Sequence, residues 1–446
     1  MKLQRLRLTN FRCFSSLEME IDSRLTVFIG INATGKTALV EAINIGLGPI
    51  MERLRRLYAI RLQEHDLRRG PDGAPMPFVE IFLETSNPEL RWDLELLRDH
   101  SPVTRQEMQT FRKTADRRRF GRKQLHGYLD DLIECHRQQQ VFEIPVFAFY
   151  EADRAAKDAA GPKAEVDPYY ERFSAYVKAH RAGVSFAEAV SWFNRTQHEA
   201  VVNPGSPATH AFEIVRHAVK RLLPKVESLA FHPAEDRLVA RFRSPTQDLV
   251  ELPVSRLSHG YQGMLALVMD FARRMALANP HLTDPLAGEG ICLIDEVDLH
   301  LHPDWQQRVI PGLLEVFPGT QFILTTHSPQ VLTTVPPQHI RRIDFHDGHH
   351  VLQVPTSSLG AESSRVLEDV MGVNPRPRRD AGSQLDTNVH GNVSAMLQEY
   401  LTLVAQRQGR SEKAIHLRAD LDRLTNREDP QLERADAEMR RQELFS

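Results

Sequence analysis

The run GINATGKT at residues 30–37 constrains this chain more than any other part of it. Two glycines separated by four residues, then lysine and a hydroxyl side chain, form a loop built to hold phosphate. Gly30 and Gly35 let backbone N–H groups close around an anion. A helix opening at the end of the loop points its positive end at the same place. The flanks fit that geometry: Leu25–Ile29 (LTVFI) reads as a buried strand, and 38–47 as a helix. Lys36 then reaches the β- and γ-phosphates, and the Thr37 hydroxyl ligates Mg²⁺. The loop residues Gly30, Asn32, Ala33, Thr34, Gly35, Lys36, Thr37 and Ala38 are therefore the expected nucleotide holders, with ATP and Mg²⁺ as cofactors.

Three later segments extend the pattern. ICLIDE, at 291–296, is an apolar strand ending in two acids. Asp295 is expected to hold Mg²⁺ through water, and Glu296 to polarise an attacking water. RLSHGYQ, at 256–262, puts a serine and a glycine at the start of a helix, a second phosphate cradle. TTHSP, at 325–329, follows another buried strand. Phosphate loop, serine–glycine helix start, acidic strand end and histidine occur in the order of ABC-type ATPases, which this chain resembles. The expected fold class is accordingly α/β, a P-loop NTPase of ABC-ATPase type with a mostly helical insertion and a helical C-terminal tail.

The resemblance implies roles for several residues. Ser258, Gly260 and Gln262 match the signature that closes over the nucleotide of a second subunit. His327 matches the switch histidine that contacts the γ-phosphate. Asp298 matches the loop that crosses the dimer interface. Gln63 is the candidate for the loop that senses Mg²⁺ and γ-phosphate, with Asp66 as the competing choice. The opening LQRLRLTNFRCF is similar to that of RecF-, SMC- and OLD-like ATPases and puts Arg12 beside the nucleotide. LIDEVDLHLHPDWQQRVIPGL with FILTTHSPQVL resembles a narrower branch, the compact ATPases of bacterial defence loci that include Septu PtuA and retron ATPases; AFYEADR at 148–154 has the same look. That branch implies an ATP-gated homodimer or higher homo-oligomer that controls a separate HNH-type nuclease. A RecF-like clamp that binds DNA directly stays open as the alternative. No HNH pattern is present, and no cluster of acids for two-metal cleavage follows His327, so no intrinsic nuclease is expected.

Composition bounds the rest. The 446 residues are 41% hydrophobic and 26% charged, with net charge −3, so no overall basic field points to nucleic acid. Cys13, Cys135 and Cys292 are far apart and form no CxxC pair, which suits a reducing compartment. No apolar run of membrane-spanning length occurs, and the expected location is cytoplasmic. The expected organisation is an N-terminal ATPase lobe (1–97), a mostly helical insertion (98–235), a C-terminal ATPase lobe (236–373) and a charged helical tail (386–446), with NPRPRRD at 374–380 as a linker. The basic stretch 105–123 reads as a solvated helix face or a surface for phosphate or a partner. Residues 303–317 are expected to form one amphipathic helix, and HDGHH at 346–350 a hairpin turn rather than a metal site.

Overall fold

The computed structural model describes the chain except for residues 56–59, 153–167, 181–185, 233–236, 244–247, 347, 374–392, 425–429 and 445–446. It divides into two compact units, Met1–Met371 and Gly372–Ser446.

The first unit is organised by β3 (Leu25–Ile29), β6 (Val146–Tyr150), β10 (Gly290–Ile294), β11 (Thr320–Thr325), β12 (Ile340–His346) and β13 (His349–Gln353). They form one sheet in the order β13-β12-β3-β11-β10-β6, parallel except for the edge hairpin partner β13. β3, β6, β10 and β11 are buried along their whole length. That is why they read as continuous apolar runs rather than alternating ones. The register pairs Ile294 with Leu324, and Leu324 with Val27. The residues just after β3, β10 and β11 therefore leave the sheet along one edge, which is what assembles the site.

A second sheet, β2-β1-β4-β5, is antiparallel and consists of β1 (Leu3–Phe11), β2 (Phe14–Glu20), β4 (Phe78–Thr85) and β5 (Arg91–Leu97). The tight β1–β2 turn puts both Asn10 and Arg12 at positive φ, 52° and 47°. A third sheet joins β7 (Val226–His232), β8 (Arg237–Arg243) and β9 (Leu249–Pro253).

Residues 98–235 supply α2 (Pro102–Thr114), α3 (Lys123–Arg137), α4 (Phe186–Val202) and α5 (Pro207–Leu222), and also β6, which completes the edge of the central sheet beside β10. In the basic stretch, Arg112 donates to Glu80 at 2.7 Å and Glu95 at 2.8 Å, and Arg119 lies 2.6 Å from Glu95. Phe111 packs on Phe78 at 5.3 Å. Part of this cationic surface is thus turned onto the carboxylates of the antiparallel sheet.

α1 (Lys36–Arg55) follows the glycine loop, and α6 (His259–Ala278) begins at Ser258. α6 is anchored by a buried ionic cluster. Asp270 accepts from Arg274 at 2.6 Å, Arg273 at 2.7 Å and the Tyr150 hydroxyl at 2.9 Å. The expected single helix over 303–317 is two pieces, α7 (Pro303–Gln306) and α8 (Val309–Val316). The Pro311 ring would clash with the carbonyl of Gln307 in a continuous helix, so the chain breaks between them. Two short turns, α9 (Pro329–Leu332) and α10 (Ser363–Arg365), complete this unit. In HDGHH, His346 pairs with His349 across the β12–β13 hairpin, and Asp347 lies outside the described residues.

Among its described residues the second unit has three helices, α11 (Val393–Ala405), α12 (Glu412–Leu424) and α13 (Pro430–Leu444), with their own core of Leu397, Tyr400, Val404, Leu421 and Leu432. Arg418 of α12 binds Asp422 and reaches across to Asp436 of α13. The stretch read as a linker lies outside the described residues.

Candidate active site

A cavity of about 460 Å³ opens at the sheet edge, lined by Arg12, Lys36, Thr37, Asp295, Glu296 and His327 together with the loop residues Asn32, Ala33, Gly35 and Ala38. The loop needs its glycines. Gly35 sits at φ 93°, and a Cβ there would lie 2.6 Å from both Cys13 Sγ and the Phe14 ring. A Cβ on Gly30, at φ 153°, would come within 2.8 Å of the Ile343 carbonyl. Lys36 is only 6% exposed and donates to the carbonyls of Gly30 and Ile31 at 2.8 and 2.9 Å. Burial lowers its pKa, against the pull of Asp295 and Glu296 that favours the cation. Thr34 closes the loop on itself, its hydroxyl donating to the Ile31 carbonyl at 2.9 Å.

The cation side is built from oxygen. The Thr37 hydroxyl donates to Asp295 Oδ2 at 2.9 Å, so the two groups expected around Mg²⁺ already face each other. A hydroxyl and a carboxylate are hard donors that fit Mg²⁺ in an otherwise hydrated or phosphate-bridged shell. The second oxygen of Asp295 accepts from the Thr325 hydroxyl at 2.5 Å, and Thr325 in turn accepts from the Glu296 N–H at 2.7 Å. Thr325 thus orients both acids. In the sequence Thr325 is only the opening residue of TTHSP. Its signal is register: with Ile294 opposite Leu324, Asp295 and Thr325 fall next to each other. Glu296 is held at φ 48°, the left-handed region that a glutamate rarely occupies.

Asp298 ties the next loop to the histidine segment. One of its oxygens accepts from the Thr326 hydroxyl at 2.5 Å and from the His327 N–H at 3.3 Å. At the other end of the cavity, Arg12 Nε donates to Asp66 at 2.9 Å, and its terminal nitrogen binds Glu41 of α1. Burial works against the Arg12 charge, but these two carboxylates hold its pKa above the usual value. Asp66 is fully buried in this pair. Gln63 is exposed and lines a separate cavity with Arg69 and Arg98, so it is not brought to the phosphate loop.

The signature residues also stand apart. Ser258 caps α6, accepting from the Tyr261 N–H at 3.4 Å. Gly260 is pressed so close to the loop after β10 that a Cβ would lie 2.3 Å from the His300 carbonyl. Gln262 donates to the carbonyls of Leu257 and Ser255 at 2.8 and 3.1 Å, which shapes the approach to the helix. Ser258 and Gly260 line a second cavity, also about 460 Å³, with Tyr261, His300 and Trp305.

A lysine in a glycine loop, a threonine–aspartate pair for Mg²⁺ and a glutamate beside them, on a parallel sheet flanked by an antiparallel one, define a P-loop ATPase of the ABC type. Residues 25–333 match the family model described as "AAA domain, putative AbiEii toxin, Type IV TA system", and the chain belongs to that family. It is 28% identical to a retron Ec83 probable ATPase of Escherichia coli, over 93% of this chain and 82% of that protein. It is 27% identical to a retron Vc95 probable ATPase of Vibrio cholerae, over 91% and 84%. A Septu protein PtuA of Bacillus thuringiensis shares 38% identity over a shorter stretch, 19% of this chain and 23% of that protein. The chain is thus an ABC/AAA ATPase of the defence group. Among the described residues no helix is long and apolar enough to cross a membrane.

Proposed function

We propose that the chain binds ATP with Mg²⁺, dimerises head to tail around two nucleotides and hydrolyses them, and that this cycle controls a separate HNH-type nuclease in cytoplasmic anti-phage defence. The observation that carries the reading is the separation of two half-sites in one chain. Lys36, Thr37, Asp295 and Glu296 line one cavity, and Ser258 and Gly260 another. In this reading a phosphate bound at Lys36 meets the signature of a second copy.

In this reading Lys36 and the loop N–H groups hold the phosphates, and Thr37 and Asp295 hold the cation, which neutralises charge on the phosphates. Glu296 takes a proton from the attacking water, and His327 contacts the γ-phosphate. Asp298 links His327 to the loop that faces the partner, so closure and hydrolysis share one hydrogen-bonded segment. The similarity to retron ATPases over nearly the whole chain supports the defence setting.

The test is to express tagged Glu296→Gln with its genomic neighbours and identify what co-purifies. A stoichiometric nuclease supports regulation of an effector. Recovery without a protein partner but with DNA bound in a salt-sensitive manner moves the assignment to the DNA clamp. The clamp reading leans on residues 105–123, where Arg112 and Arg119 are already engaged by Glu80 and Glu95.

A further inference from the structure

The cavity around Lys36 accounts for phosphates and cation but leaves the nucleoside without a seat. Glu296 and His327 follow β10 and β11, which lie on one flank of β3. The γ-phosphate end faces that flank, so the base must extend toward the other, where β12 pairs with β3. There the Ile343 carbonyl of β12 comes close to Gly30, the first residue of the phosphate loop.

A row of rings leads away from the loop on this side. Phe14, fully buried, touches Gly35. Its ring centroid is 4.6 Å from that of His350 on β13. His350 is 5.0 Å from Phe345 on β12, at an interplanar angle of 64°, and the two residues are directly opposed across the hairpin. The row ends in solvent: Phe345 is 59% exposed, as is Ile31 in the phosphate loop at 67%. A phenylalanine held in place by its strand partner yet open on its outer face is a ready surface for a flat heterocycle. Arg68 supplies a cation at the same place. It acts on both Cys13 in the β1–β2 turn and His350, whose pKa is lowered by burial first and by Arg68 second. Among the described residues Arg68 has no carboxylate partner.

We propose that the β12–β13 hairpin carries the base subsite: the adenine of ATP stacks on the exposed ring of Phe345, backed by His350 and Phe14. The inference rests on the nucleotide reading above and adds the residues that distinguish a nucleoside triphosphate from a bare polyphosphate.

The experiment measures binding of Mg–ATP and of Mg–tripolyphosphate to the full chain, for wild type, Phe345→Ala and Phe345→Trp. The expected result is that Phe345→Ala weakens ATP by about tenfold, the scale of one lost base–aromatic stack. Tripolyphosphate binding stays unchanged. Phe345→Trp restores ATP affinity, and ATP but not tripolyphosphate changes the emission of the introduced tryptophan. Unchanged ATP affinity in Phe345→Ala overturns the base subsite, as does equal loss for both ligands. Wild-type protein that binds neither ligand sinks the nucleotide reading itself, a result distinct from a failure confined to Phe345.

Discussion

Thr325 shows how much one hydroxyl controls here. It donates to Asp295 and accepts from the Glu296 N–H, so it sets the metal-side carboxylate and the backbone that carries the proposed base. Thr325→Val keeps the shape and removes both bonds. The expected outcome is a loss of about tenfold to a hundredfold in kcat, because a displaced catalytic group loses its near-attack geometry, with ATP affinity retained through Lys36. Steady-state kinetics beside equilibrium ATP binding would separate the two. Wild-type kcat in Thr325→Val removes Thr325 from the positioning role. Glu296→Gln should likewise keep binding, and it should lower the rate by at least about a hundredfold if it is the base. Lys36, Thr37 and Asp295 were legible in sequence because each sits in a short motif whose chemistry is local. Thr325, Glu41 and Tyr150 were not. Their roles come from strand register and from packing between residues 29, 30 and 120 positions apart, and a pattern read along one chain does not contain those pairings.

At the scale of elements, α6 links the signature to the central sheet. Its N-terminus holds Ser258 and Gly260; its middle is fixed by Asp270 to Tyr150, whose carbonyl accepts from the Asp295 N–H at 2.8 Å. The paired arginines keep the Asp270 carboxylate below its usual range despite its burial. A depressed folded-state pKa stabilises the protein above the unfolded value of about 4, and that contribution fades as pH falls below it. Asp270→Ala leaves two arginines uncompensated and should cost about 3–5 kcal/mol, read by denaturant unfolding at neutral pH. Its destabilisation relative to wild type should shrink in acid; a gap that persists unchanged well below pH 4 rules out the ionic account. Buried strands such as β3, β10 and β11 were readable because apolar runs between turn signals have few other fates. β2 and β7 were missed, since their alternating or polar residues gain meaning only beside β1 and β8. The α7–α8 break was marked in the sequence by Pro311, but the amphipathic pattern on either side of it outweighed that single residue.

For the whole molecule, the decisive question is whether one active site is shared between two chains. Lys36→Ala removes the lysine from the phosphate loop and leaves the signature intact. Ser258→Arg fills the signature cavity with a bulky cation and leaves the phosphate loop intact. Each variant alone should be inactive under the head-to-tail reading. In a freely exchanging equal mixture, half the dimers carry one chain of each kind, and each of these has one complete composite site. Activity should therefore return to about a quarter of the wild-type rate, if the two sites turn over independently. A site contained within one chain gives a different outcome, because no chain in the mixture then carries an undamaged site. The informative readout is ATPase rate against mixing ratio, with light scattering to confirm that mixed dimers form. Mixed dimers that form with ATP yet stay inactive at every ratio would remove the independent composite site. A bell-shaped recovery, highest at equal amounts, requires that Lys36 of one protomer and Ser258 of its partner serve the same nucleotide.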